Sequence, residues 1–278
     1  MLRKFYKMHG IGNDYIYFNC FQGEISNPSE LSVRLSDRHF SIGGDGVILV
    51  CPSKVADGKM RMFNADGSEG KMCGNGIRCV GKFLYEVVGI RKDTLTVETL
   101  SGIKTLRLWV KDGAVKSVTV QMGKAELNPK KIPAKFEGES AVAAPLSVGG
   151  KRYSVTCVSM GNPHCVVFQD PDKTQLEKIG PLFEKHECFP ESVNTEFVSV
   201  AGKNELNMRV WERGSGETFA CGTGACAATV AAVLNGYCDK GEDITVHLRG
   251  GDLIIRYTDD GVSMTGEAAF AFTGEAEI

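Results

Sequence analysis

The feature that most constrains this chain is that it repeats itself. Residues 71–79 read "KMCGNGIRC" and residues 219–227 read "FACGTGACA", and each stretch sets a cysteine directly before Gly-x-Gly. Sliding the sequence by 148 positions aligns "FNADGSEGKMCGNG" (63–76) with "WERGSGETFACGTG" (211–224), matching Glu69 with Glu217, Cys73 with Cys221, Gly74 with Gly222 and Gly76 with Gly224. A slide of 149 brings Gly12-Asn13 onto Gly161-Asn162 and sets Val47–Val50 against Glu196–Ser199, with Asp45 opposite Asn194. Several matches at a nearly constant offset mark a duplication, so a chain of 278 residues is expected to fold as two similar units.

Local patterns give those units their content. After the first cysteine, Ile77, Val80, Leu84 and Val87 recur every three or four residues, the stripe of a helix, until Gly89 offers a C-cap. After the second, "TGACAATVAAVLNG" reads as a helix of small residues ended by Asn235-Gly236, suited to an enclosed position where neighbouring strands come close. Much of the remainder alternates as strands do, in "TLTVETLSG", "IKTLRLWV", "SVTVQMG", "EDITVHLRG" and "DLIIRYT", with Gly, Asp and Asn at the turns. The expected fold is therefore α+β: two pseudo-symmetric domains, each a curved, mainly antiparallel sheet or barrel around a central helix, with the active site in the cleft between them. Residues 1–122 form the first half and 123–266 the second, and "GKAELNPKKIPAKFEGES" (123–140) is either a linker or a long loop.

Composition narrows the partner. At 42% hydrophobic and 24% charged the chain is ordinary for a globular protein. A net charge of -2, a pI near 6.2 and the lack of any dense Lys/Arg run give no surface for nucleic acid or anionic membrane, so the expected partner is a small molecule. The first residues carry charge but no apolar signal core, and no run approaches the roughly 18 apolar residues of a membrane span, which points to the cytoplasm. Ten cysteines in a small secreted chain would suggest a disulfide framework; in a chain of this size most are expected to be reduced and buried.

A thiol at a helix N-terminus sits against the positive end of the helix dipole and unpaired N–H groups, which can lower its pKa from about 8.5 to roughly 3.5–7.5. The same N–H groups hold carboxylates, and glycines let an anion approach the backbone. Cys73 and Cys221 thus each pair a candidate base with an anion cradle. If the two halves face each other across a cleft, one cysteine removes a proton from one face of a carbon and the other returns a proton to the opposite face, inverting a stereocentre. The Cα of an amino acid is a very weak acid, so donors must stabilise the carbanion as it forms, and two helix starts can do so without a cofactor. No setting for a pyridoxal-phosphate lysine is found, and Gly74-x-Gly76 lacks the full spacing of a dinucleotide fingerprint. No metal is expected either, since the C-x5-C and C-x4-C pairs fall inside the helices and no C-x2-C exists. Cys20, Cys51, Cys157, Cys165, Cys188 and Cys238 read as inert side chains, and Cys79 and Cys226 as helix packing.

These stretches, together with "KMHGIGNDY" (7–15), "RMFNADGSEGKMCGNGIRC" (61–79), "MGNPHCV" (160–166), "VNTEFV" (193–198) and "WERGSGETFACGTGACA" (211–227), resemble the diaminopimelate epimerases, enzymes of lysine synthesis that use no pyridoxal phosphate. The resemblance runs the length of the chain. It implies that Cys73 and Cys221 are the acid/base pair, that the protein is a homodimer, and that a C-terminal strand (267–278) returns to complete the first half. It places Asn13, Asn64, Asn162, Asn194, Glu212 and Arg213 against substrate, with Gly74-Asn75 and Gly222-Thr223 at the two helix starts, and gives His164 and Glu212 the tuning of the cysteines. Where some members carry a glutamine after the aspartate, this chain has Gly46, so only backbone can serve there.

Taken without the family, these residues still make a site. Diaminopimelate has two amino-acid ends, so Arg213 can hold the distal carboxylate in a bidentate pair while Asn64, Asn162 and Asn194 donate to it without adding charge. Taken singly, each asparagine also reads as a turn or cap, His164 as a structural histidine, Glu212-Arg213 as a solvated pair and Phe272 as core or dimer interface. Three other functions share features with this sequence. Proline and hydroxyproline racemases use the same cysteine pair but resemble "MCGHG" where this chain has "MCGNG"; PhzF-like isomerases lack the pair; and a binding protein would keep the cysteines without using them.

Overall fold

Burial alternates along many of the strands, as half-buried strands require, and runs unbroken through others that are covered on both faces. The computed structural model describes residues 1–278 and divides them into two units, Met1–Gln121 with Thr265–Ile278, and Met122–Met264. In the first, β1 (Leu2–Gly10) and β2 (Asn13–Asn19) form a hairpin whose two turn residues, Ile11 and Gly12, both have positive φ, the primed geometry that suits twisted strands. Then follow α1 (Pro28–Ser36), β3 (Gly46–Cys51), β4 (Gly58–Asn64), the short β5 (Glu69–Gly70), α2 (Gly74–Phe83), β6 (Thr94–Thr99), β7 (Gly102–Lys111) and β8 (Ala114–Gly123). The last strand of the chain, Ala269–Glu277, pairs antiparallel with β1. Every residue of α2 is buried, and the helix runs on through a π turn (Leu84–Val88) to Gly89, whose left-handed φ of 89° ends it.

The second unit holds β9 (Ala144–Val148), β10 (Lys151–Ser159), β11 (Pro163–Phe168), α3 (Leu176–Glu184), β12 (Asn194–Gly202), β13 (Glu205–Glu212), β14 (Gly216–Glu217), α4 (Gly222–Leu234), β15 (Asp243–Leu248) and β16 (Gly251–Thr258); β17 (Gly261–Glu267) and the last strand, β18, follow. Its pairings repeat those of the first unit in order and sense. β10–β11, β12–β13 and β15–β16 are antiparallel and β11–β12 and β13–β15 parallel, matching β1–β2, β3–β4, β6–β7 and then β2–β3 and β4–β6. The duplication is thus written in the hydrogen bonds, and each half carries two parallel pairs within an otherwise antiparallel arrangement. α4 is apolar all round, and its alanines are buried from Ala225 to Ala232, as a helix enclosed by strands must be.

Two helices escaped the periodicity reading. α1 is only nine residues long, and α3 contains Gly180 and Pro181, both of which argue against a helix from sequence. Gly180 is there because a Cβ would lie 2.4 Å from the Trp211 ring on β13. The 123–140 stretch is a packed loop of the second unit: Ile132 and Ala134 join its core with Phe189, and Lys135 N–H donates to the Cys188 carbonyl at 2.8 Å. Of the cysteines read as inert or packing residues, Cys20, Cys79, Cys157, Cys165, Cys226 and Cys238 are buried, while Cys51 and Cys188 are partly exposed.

Candidate active site

The repeated motif is also a repeated geometry. Cys73 and Cys221 are the N-cap residues of α2 and α4, both with extended backbone (φ -122° and -121°). Each sulfur accepts the N–H of the third residue on, Gly76 and Gly224, at 3.3 Å, standing where a Ser or Asp oxygen commonly caps a helix. The glycines are demanded from behind as well as from the anion side. A Cβ on Gly76 would meet Ile48 Cδ1 at 2.7 Å; one on Gly224 would meet Glu196 Oε1 at 2.7 Å and Cys221 Sγ at 3.2 Å.

Around Cys73, the thiol donates to Asn13 Oδ1 at 3.2 Å, and the Asn13 amide donates to Asp45 Oδ2 at 2.6 Å. Arg38 then joins Asp45 and Asp14, at 2.9 and 2.6 Å. Burial works against the Asp14 carboxylate, but hydrogen bonds from Arg38 and Lys7 outweigh it and hold the group below its usual range. Tyr15 is pushed up by burial first, then by Cys73 and Asp45. Asn64 helps close the turn between β4 and β5 through Ser68, which its amide reaches at 2.9 Å. Asn75 is buried and accepts from Arg78 Nη1 at 2.9 Å; Arg78, fully buried, also donates to the Gly74 and Glu267 carbonyls. Gly46 has a structural cause here: at φ +154° its Cβ position lies 2.0 Å from the Phe63 carbonyl oxygen, so no side chain fits.

Around Cys221 the polar groups form a chain. Thr223 Oγ1 lies 3.5 Å from the sulfur, Asn162 donates to Thr223 at 3.3 Å, His164 Nε2 is 3.0 Å from Asn162 Oδ1, and His164 Nδ1 is 2.6 Å from Glu196 Oε1. His164 and Glu196 are both fully buried. Glu212, at the end of β13, accepts from Thr218 at 2.5 Å; burial pushes its carboxyl up, with Thr218 and His164 pulling the other way. Cys221 is pushed well above the ordinary thiol range, first by burial and then by the Glu212 and Glu196 carboxylates, while Thr223 and the Gly224 N–H oppose the rise. This differs from the lowered thiol expected of a helix start. The dipole acts from one side only, whereas β12 and β13 bring two carboxylates that are remote from Cys221 in sequence.

Asn194 is tied into the second unit through its side chain. Its amide donates to the Pro163 carbonyl and its oxygen accepts from Arg213 N–H, both at 2.9 Å, so it ties β11 to the residue that presents the Arg213 side chain. Arg213 itself is exposed, with Nη1 on the Glu191 carbonyl at 2.8 Å. Glu196, Asp45, Arg38 and Arg78 join these surroundings without a motif of their own in the sequence. Glu196 left a trace there, a carboxylate set against Val47 in the repeat. Each half therefore offers a helix-capping sulfur at a glycine-flanked helix start, suited to moving a proton to or from a carbon next to a carboxylate.

Comparison with known proteins gives this arrangement a lineage. The family model described as diaminopimelate epimerase matches residues 5–128 and 156–271. A diaminopimelate epimerase of Acetivibrio thermocellus is 53% identical over 99% of both chains, and one of Methanococcus maripaludis is 52% identical over 99% of this chain and 100% of its own. Among solved structures, a PhzF-family phenazine biosynthesis protein of Bacillus anthracis shares the fold over 100% of both chains at a TM-score of 0.73 and 16% identity. A hydroxyproline epimerase from Agrobacterium vitis, solved with trans-4-hydroxy-L-proline, does so over 99% of this chain and 92% of its own, at 0.72 and 14%.

Proposed function

Because this chain belongs to the diaminopimelate epimerase family, we propose that it interconverts LL-2,6-diaminopimelate and meso-diaminopimelate in the synthesis of lysine and cell-wall precursors, with no organic cofactor. One cysteine, as thiolate, takes the α-proton; the electron pair left on Cα is delocalised into the adjacent carboxylate; the other cysteine, as thiol, delivers its proton to the opposite face. Nothing is oxidised or reduced, and the enzyme ends with the proton on the other sulfur. The observation that carries this reading is the pair of capping thiols, Cys73 and Cys221, each held by the N–H of a glycine at 3.3 Å. The mechanism requires both sulfurs to reach one carbon from opposite sides.

Around that carbon, the N–H groups at Gly74-Asn75 and Gly222-Thr223 stabilise the reacting carboxylate as charge builds on it. Arg213, with its exposed guanidinium, takes the distal carboxylate, assisted by Asn64, Asn162 and Asn194. Asn13 contacts Cys73 directly, and His164 and Glu212 set the charge around Cys221. Thiol chemistry of this kind needs a reducing compartment, which supports a cytoplasmic location; no helix is long and apolar enough to cross a membrane. The protein is proposed to be a homodimer, with the half-exposed Phe272 on the last strand as a candidate interface residue.

The test is exchange of the α-hydrogen with solvent deuterium, run on LL-diaminopimelate and L-proline side by side. Incorporation into diaminopimelate alone is expected. Exchange confined to proline would assign the site to a smaller substrate, and no exchange in either would make the protein a binder.

A further inference from the structure

The two halves differ where their sequences should agree. At the offset that places Asn13 on Asn162, Tyr15 falls on His164 and Val47 on Glu196. Val47 is a fully buried core residue of β3. Its counterpart on β12 is an equally buried carboxylate whose Oε2 has no hydrogen-bond partner. Burying such a group is unfavourable unless it is paired, and an apolar side chain occupies this strand position in the sister half. Packing therefore gives no reason for Glu196.

Glu196 instead heads a chain of contacts with a single direction. The Asn162 amide nitrogen donates to Thr223 Oγ1, which leaves its oxygen turned to His164 Nε2. An amide oxygen only accepts, so Nε2 carries a hydrogen; Thr223, accepting from the amide, has its own hydrogen left for the sulfur 3.5 Å away. For Nε2 to keep its hydrogen, Nδ1 needs a partner that serves it in either state. Glu196 Oε1, at 2.6 Å, is that partner: as carboxylate it accepts from Nδ1–H, and as acid it donates to bare Nδ1.

We infer that Glu196 is a positioning residue for Cys221, holding His164 in the form that aligns Asn162 and Thr223 so that the Thr223 hydroxyl donates to the sulfur whenever it is a thiolate. The titratable groups in play are few: Glu212, Glu196 and His164 around Cys221, and Cys165 beside Glu196 on β11. Burial and both carboxylates disfavour the thiolate, so the orientation of one hydroxyl hydrogen matters more here than it would in water. The first half is built differently: Cys73 donates directly to Asn13, and Tyr15 stands at the position of His164.

The inference rests on Cys221 acting as an acid/base group, but its test does not use turnover. Thiolate absorbance is titrated in substrate-free protein, each variant measured against its own Cys221→Ser counterpart. Glu196→Val, the residue of the sister half, removes both the carboxylate charge and the partner of Nδ1, whereas Glu196→Gln removes the charge alone, so the Cys221 midpoint is expected about one pH unit higher in the Val variant than in the Gln variant, a tenfold smaller thiolate fraction at lower pH. Thr223→Val, which removes the hydroxyl itself, should raise the midpoint over wild type, and adding it to Glu196→Val should bring no further rise. Glu196→Gln, which can still donate to Nδ1, should stay at or below the wild-type midpoint. If Glu196 acted only through its charge, Val and Gln would both lower the midpoint; if only through packing, neither would move it; either result overturns the inference. Nitrogen NMR of His164 in the unmutated protein is the check independent of any variant: Nε2 should carry a hydrogen, and a bare Nε2 refutes the chain. Loss of the epimerase reading itself would appear separately, as absent α-hydrogen exchange in the wild type.

Discussion

Gly224→Ala places a methyl group where the structure has no room for one. Its Cβ would sit 2.7 Å from Glu196 Oε1 and 3.2 Å from Cys221 Sγ. The carboxylate cannot swing aside freely, because it is fully buried and held to His164 at 2.6 Å. Overpacking of this kind costs about 1–3 kcal/mol, against which alanine returns at most about 1 kcal/mol in helix propensity. The expected net loss is therefore up to about 3 kcal/mol, read as a lower denaturation midpoint with unchanged slope, together with a fall in kcat/KM because either Glu196 or the sulfur must move. Gly76→Ala is the internal control. There the obstruction is the Ile48 Cδ1 methyl at 2.7 Å, the end of a side chain that can rotate, so the loss should be smaller. A Gly224→Ala protein as stable and as active as wild type would show that the carboxylate is not clamped, and would refute the reasoning.

Other outcomes follow from the same geometry. Arg213→Ala should lower kcat/KM on LL-diaminopimelate by roughly tenfold to a hundredfold, from the loss of about 1.5–3 kcal/mol of charged hydrogen bonding, with an unchanged melting profile since the side chain is exposed. Asn194→Ala should behave differently and reduce stability too, by about 1–3 kcal/mol in thermal or urea unfolding, because it strands the Pro163 carbonyl and the Arg213 N–H. His247, raised by Asp252 and then Glu205, is a pH-dependent clasp on the second unit. Its folded state binds the proton more tightly, so the stabilisation is complete below the ordinary histidine value of about 6.5 and is lost as pH rises through the raised value. His247→Gln should flatten that slope in urea titrations at several pH values, by no more than about 1 kcal/mol for so exposed a cluster.

What could be read from the sequence is what lies close together along the chain. The two helix starts, the stripe from Ile77 to Leu84 and the alternating strands are local patterns, and the duplication is a comparison of such patterns. α3 was hidden because its Gly180 answers to Trp211, 31 positions further on. The ties of Asn194 to β11 and to the residue after β13 are equally hidden, because nothing nearby in sequence shows them. The rise of the Cys221 thiol is hidden for a similar reason. A helix dipole is visible in sequence, while the approach of Glu196 and Glu212 depends on strand register.

The central claim is that two cysteines share one proton-transfer cycle, and single substitutions test it most directly. Cys73→Ala and Cys221→Ala should each fold as the parent does, and each should lose epimerisation in both directions, starting from LL- or from meso-diaminopimelate, because every turnover needs one base and one acid. Either variant keeps a single base and can still eliminate from a halogenated substrate analogue. A folded single variant that epimerises at near the wild-type rate in either direction would contradict the account.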